Sequence, residues 1–166
     1  VTMHRTTLRG QIAARTRNPG RRRQRWRCAL ALMALLAGPA AAQDDIVSVV
    51  GQPVLALAQR PELTTGLRFN SGGHRSALAA RLRDPGPPVA LVAERFLQGW
   101  ACRPSGCRDG GVFLAYDRSD ERIYLMLTDY GAVRLSVPPD PRGWPEELRA
   151  GVHDFVPALA AAMGTR

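Results

Sequence analysis

A mixed α+β fold, with helices packed on an antiparallel sheet, is predicted by three features of the sequence. Between Val112 and Val137, three short runs of strand-forming residues are separated only by polar turns, the pattern of an antiparallel meander. Helical apolar spacing lies before that region and again after it, so helices flank the strands instead of alternating with them. The chain has 166 residues and is 45% hydrophobic, enough for one modest domain with a packed core.

Taken in order, Ile46 to Gln59 carries apolar residues interrupted by Gly51 and Pro53. A short helix from Pro53 to about Arg60 is predicted, with proline at its first position and Pro61 as its stop. Leu63 to Asn70 is ambiguous, and Asn70-Ser71-Gly72-Gly73 has the composition of a turn. Ser76 to Leu82, alanine-rich with Leu78 and Leu82 four apart, predicts a second helix that ends before Asp84-Pro85-Gly86-Pro87-Pro88. Val89 to Ala101 predicts one strand leading into Cys102. Val112–Tyr116, Ile123–Thr128 and Ala132–Val137 predict the three that follow. Pro138-Pro139-Asp140-Pro141 closes the sheet, and Pro145 opens a helical stretch with Glu146 and Glu147 where the helix dipole favours anions. A last helix, Val152 to Met163, shows a core-facing stripe at Val152, Phe155, Val156, Leu159, Ala160 and Met163.

The charge is divided unevenly along the chain. All 23 basic residues other than histidine are arginines, nine of them before residue 28, whereas the first acid is Asp44. From Gln43 onward the remaining fourteen arginines meet all fourteen acids, so the net charge there is zero. Nonspecific binding to nucleic acid needs a basic patch on the folded domain, and this balance argues against it.

Residues 1–42 have the order of a signal peptide with a basic leader. A cationic segment ending at Arg27 precedes the apolar run Cys28–Ala37, Gly38-Pro39 breaks the helix, and small residues at Ala40 and Ala42 suit a peptidase. Cleavage is expected before Gln43, releasing residues 43–166 as a single domain in the periplasm. A membrane anchor would need roughly 20 apolar residues, which this run does not supply.

Export sets the chemistry of the cysteines. Cys28 leaves with the leader, and the exported part keeps Cys102 and Cys107, for which a disulfide is the default in an oxidising compartment. Two thiolates make at most half a zinc shell, and neither His74 nor His153 is spaced to complete it, so no metal or other cofactor is assigned. The ring would fix a segment in which Pro104 sets its own φ and Gly106 allows close approach of a partner. A structural staple and a preorganised binding loop bearing Arg103, Pro104, Ser105 and Gly106 are both consistent with this spacing.

The Ala-Cys-basic-Pro-x-x-Cys loop at Ala101 to Cys107, the small-residue leader end before Gln43-Asp44-Asp45, and Gly143-Trp144-Pro145 through Leu148-Arg149-Ala150 resemble the inhibitor of vertebrate lysozyme (Ivy) family of periplasmic proteins. The resemblance implies a central antiparallel sheet of about five strands flanked by helices, an αβα sandwich. It also implies a cysteine-closed loop that plugs the active-site cleft of a C-type lysozyme, and it allows a homodimer. In the family's usual loop, Cys-Lys-Pro-His-Asp-Cys, the histidine enters the cleft and bonds the catalytic carboxylates. Here Ser105 stands at the histidine position, Gly106 at the aspartate position and Arg103 at the lysine position. A serine hydroxyl donates one hydrogen bond and carries no charge, so weak or absent inhibition of C-type lysozyme is expected, and a lytic transglycosylase becomes an alternative target.

Two other functions compete. An enzyme would have to bring together His74 with Ser71 and Ser76, His153 with Asp154, and Glu94, but the sequence has no hydrolase elbow, His-Glu-x-x-His helix or phosphate loop, and no catalytic residue is assigned. An envelope interaction module would use a sheet edge or exposed aromatic residues, although Trp100 and Trp144 are expected in the core.

Overall fold

The apolar runs after residue 89 pair with their sequence neighbours throughout. The computed structural model describes residues 45–163, in which β1 (Ala90–Val92), β2 (Phe96–Cys102), β3 (Gly110–Asp117), β4 (Arg122–Asp129) and β5 (Ala132–Val137) lie side by side in chain order. All four pairings are antiparallel. The proposed leader and its cleavage site fall outside the described residues.

Alternation along the strands divides the side chains between two cores. Leu97, Ala101, Val112, Leu114, Tyr116, Ile123, Leu125 and Leu127 face one side, where α1 (Val54–Ala58), α2 (Pro61–Asn70) and α3 (Arg75–Arg81) cover them with Val54, Leu57, Leu63, Leu67 and Leu78. Phe96, Phe113, Ala115, Tyr124 and Met126 face the other, under Trp144, α4 (Arg149–Phe155) and α5 (Pro157–Met163). This is the αβα arrangement expected. β3 lies at the centre, and every one of its eight residues is buried. Phe113 stacks between Trp100 and Trp144 at centroid distances of 6.4 and 6.1 Å, so both tryptophans serve the core.

Three elements differ from expectation. The single strand predicted over Val89 to Ala101 is a hairpin, in which Ala93 and Glu94 take φ of 51° and 52° and Val92 pairs with Phe96. Neither residue type announces a left-handed turn. The fold holds the turn through Arg95, whose Nε and Nη2 donate to the two oxygens of Asp117 at 2.8 and 2.5 Å, while Nη2 also reaches Asp120 at 2.8 Å. The helix predicted from Val152 to Met163 is broken, because Pro157 forces Val156 into an extended conformation, with φ −148° and ψ 101°. Pro61, expected only to stop a helix, starts α2, and the ambiguous Leu63 to Asn70 forms its body.

The Arg95 contact has a pH signature. Asp117 is fully buried, and its bonds to Arg95, helped by the backbone N–H groups of Ser119 and Asp120, hold its carboxyl below the ordinary carboxylate range against the opposing effect of burial. A depressed folded-state pKa contributes stability above the unfolded value of about 4, and that contribution disappears as pH falls through the folded value. Arg95→Ala, which leaves the buried carboxylate without its cation, is expected to cost about 3 kcal/mol at neutral pH. The deficit should narrow below pH ~4. Urea unfolding of both proteins at neutral and acidic pH measures this, and an equal deficit at both would contradict it.

Candidate functional site

The segment between β2 and β3 is a loop closed at its base and open at its tip. Cys102 and Cys107 lie at disulfide distance, with Cα atoms 4.6 Å apart. Inside the ring, the Gly106 N–H donates to the Arg103 carbonyl at 2.9 Å, which makes Arg103–Gly106 a turn with Pro104 and Ser105 at its corners. Proline suits the first corner because its φ is already set. Gly106 has a φ of 109°, a conformation that side chains other than glycine resist. Pro104 and Ser105 are exposed, whereas Arg103 and Gly106 are half-buried.

Several contacts brace the base. The Arg103 N–H donates to Gly110 O at 2.8 Å, and the N–H groups of Asp109 and Gly110 donate to Gly106 O at 3.2 Å. Thr128, buried on β4, donates its hydroxyl to the Cys107 carbonyl. Gly111 permits this approach, because a Cβ there would lie 2.8 Å from Cys107 O and 2.8 Å from the Phe155 ring. On the other side β1 ends opposite Gln98, and the proline-rich strap takes over the edge of β2: the Cys102 N–H donates to Pro85 O at 2.9 Å. Gly86 is required in that strap, since a Cβ there would come within 1.9 Å of the Trp100 carbonyl oxygen.

Two neighbouring features extend the surface. The β4–β5 turn is tied to the loop by the Tyr130 N–H donating to Asp109 O at 3.2 Å and the Gly131 N–H donating to Arg108 O at 3.1 Å. Tyr130 has a φ of 50° and is 77% exposed, an unusual combination for a bulky residue. Arg103 does not point to the tip. Its side chain lies across Gly110, where an added Cβ would be 2.7 Å from its Cδ, and its Nη1 is 3.7 Å from Asp129 Oδ1.

The structure separates the residues that an enzyme would need together. His74 precedes α3 on one face of the sheet, His153 lies exposed on α4 on the other, and Glu94 is exposed in the β1–β2 turn. Among the described residues no group of three His, Cys, Asp or Glu side chains is placed to hold a metal ion. No helix among them is long and apolar enough to cross a membrane. The sequence singles out the two cysteines and the residues between them, but not Thr128, Gly111, Pro85 or Gly86, whose roles depend on tertiary contacts, nor Tyr130. The one signal for Pro85, Gly86 and Gly111 is the density of glycine and proline on either side of β2.

No curated protein and no solved structure gives a significant match to the chain. A family model described as "Inhibitor of vertebrate lysozyme (Ivy)" matches residues 62–158, more than half of the sequence. That span runs from α2 through the sheet and the cysteine loop into α5. The chain therefore belongs to the inhibitor of vertebrate lysozyme family.

Proposed function

We propose that this protein is exported to the periplasm, with its leader removed before Gln43, and there inserts the Cys102–Cys107 loop into the active-site cleft of a muralytic enzyme. The target is a lysozyme or a lytic transglycosylase, and C-type lysozyme is inhibited weakly or not at all. The observation that carries this is an exposed Pro104–Ser105 tip on a base fixed by the cysteine pair, the Arg103–Gly110 bond and the Thr128 hydroxyl. A segment already held in shape loses little further entropy on binding.

Ser105 supplies the chemistry at the tip. Its hydroxyl can donate one hydrogen bond to a single catalytic carboxyl, as in a lytic transglycosylase, whereas the paired carboxylates of a lysozyme favour a charged double donor. Arg103 does not replace that charge, because it is laid over Gly110 toward Asp129. Tyr130 stands beside the loop as an aromatic anchor of the type that dominates interfaces.

Stoichiometric addition of the protein to a panel of lysozymes and lytic transglycosylases, with peptidoglycan hydrolysis followed kinetically, tests the proposal. At least one enzyme should be slowed. Replacing both Cys102 and Cys107 by serine should weaken that inhibition about thirtyfold, the equivalent of about 2 kcal/mol of ring closure. Unchanged hydrolysis across the whole panel would count against a muralytic target and in favour of an envelope interaction module.

A further inference from the structure

Beside the loop lies a cavity of about 100 Å³ lined by His74, Ala77 and Arg81 of the α3 region, Arg103 of the loop, Leu127, Thr128 and Asp129 of β4, and Arg134 of β5. Three arginines on three separate elements therefore border one small space. Arg81 is matched by Asp84, to which its Nη1 donates at 2.6 Å. Arg103 and Arg134 share the one carboxylate of the lining, Asp129, and neither is closely bonded to it. Arg103 Nη1 stands 3.7 Å from Asp129 Oδ1, too far for a hydrogen bond, and Arg134 Nε donates to the Asp129 backbone carbonyl at 3.2 Å. The lining carries one positive charge more than it neutralises. Guanidinium donors left over in a fixed fork fit planar carboxylates better than they fit a point charge.

We infer that this cavity is a carboxylate-binding subsite adjoining the inhibitory loop, in which Arg103 and Arg134 clasp one monoanionic carboxylate. The inference rests on the loop-insertion reading only for the source of that carboxylate: an Asp or Glu beside the target's cleft, or a stem-peptide carboxylate of the glycan the target degrades. The site is coupled to the loop through its own walls. Thr128 lines the cavity and also holds the Cys107 carbonyl, while Arg103 is itself the first residue inside the ring.

The test uses acetate as the probe and needs no target enzyme. Titration with sodium acetate against sodium chloride at constant ionic strength, followed by NMR of the arginine Nε–Hε groups and backbone amides, should give saturable shifts confined to Arg103, Arg134, Thr128 and the Cys107–Gly110 segment. Arg134→Gln should weaken binding about tenfold, with partial rescue by Arg134→Lys. Arg142→Gln, which removes an exposed pair with Asp140 and does not line the cavity, should leave it unchanged. Shifts that do not saturate, or that spread evenly over all arginines, would overturn the subsite whether or not the protein inhibits any enzyme. If binding is confirmed, weaker affinity of Arg134→Gln for the enzyme alone identifies an enzyme carboxylate as the source. Unchanged enzyme affinity with impaired binding of peptide-bearing muropeptides identifies the stem peptide.

Discussion

Replacing Ser105 with histidine is expected to raise affinity for a C-type lysozyme by about two to three orders of magnitude. The gain is large because position 105 is at the exposed corner of a turn whose base is already fixed, so the new side chain brings a charge without requiring the loop to reorganise. A histidine between two carboxylates donates from both ring nitrogens and is stabilised in its cationic form, whereas serine offers one neutral donor. The single substitution is the cleaner experiment. Adding Gly106→Asp to complete the family's usual loop places a branched carboxylate at a φ of 109°, where strain of about 1–3 kcal/mol would obscure the gain. Inhibition constants for parent and Ser105→His against one C-type lysozyme decide the matter. Equal values would show that the tip does not meet the catalytic carboxylates, and would remove the central premise of the proposed function.

The second large effect concerns stability. Gly86→Ala should cost about 3 kcal/mol, because its Cβ would come within 1.9 Å of Trp100 O and 2.9 Å of Ala101 Cα, which are backbone atoms of β2 that no rotamer change can move. The strap has to lift, and the bond from Cys102 N–H to Pro85 O goes with it. Denaturant midpoints should fall, and the Cys102 amide should exchange faster even under fully folding conditions. Gly73→Ala is the control. No atom lies within 4 Å of a Cβ at that position, so its effect should stay within about 0.5 kcal/mol. If the two variants lose similar amounts, the strap is not what holds the edge of β2.

The parts of this fold that were legible in the sequence are those with a local cause. Strands β3, β4 and β5 follow from apolar runs bounded by polar turns, and α3 ends where the proline cluster begins. Where local and distant causes conflict, the sequence misleads. Ala93 and Glu94 are ordinary residues for a strand, and they become a turn because Arg95 is drawn to Asp117, 22 residues further on. Pro157 is a different case, since its effect on Val156 was available from the sequence alone and the apolar stripe running through it concealed the break. At the site the cysteine spacing announces the ring, but nothing local announces that Arg103 turns away from the tip. That orientation depends on Gly110 leaving room beneath the side chain and on Asp129 arriving from β4.

The strand order bears on how the chain reaches its native state. Each of the four ladders joins segments adjacent in sequence, and the cysteines are five residues apart, so no pairing within the sheet waits for a distant segment to arrive. Loop closure then exacts little before contacts form, and such topologies lie toward the quick end for sheet-containing domains. Each new strand can zip onto the edge left by the one before it, and the slower work is docking α4 and α5 over the Phe113–Trp144 stack once the sheet beneath them exists.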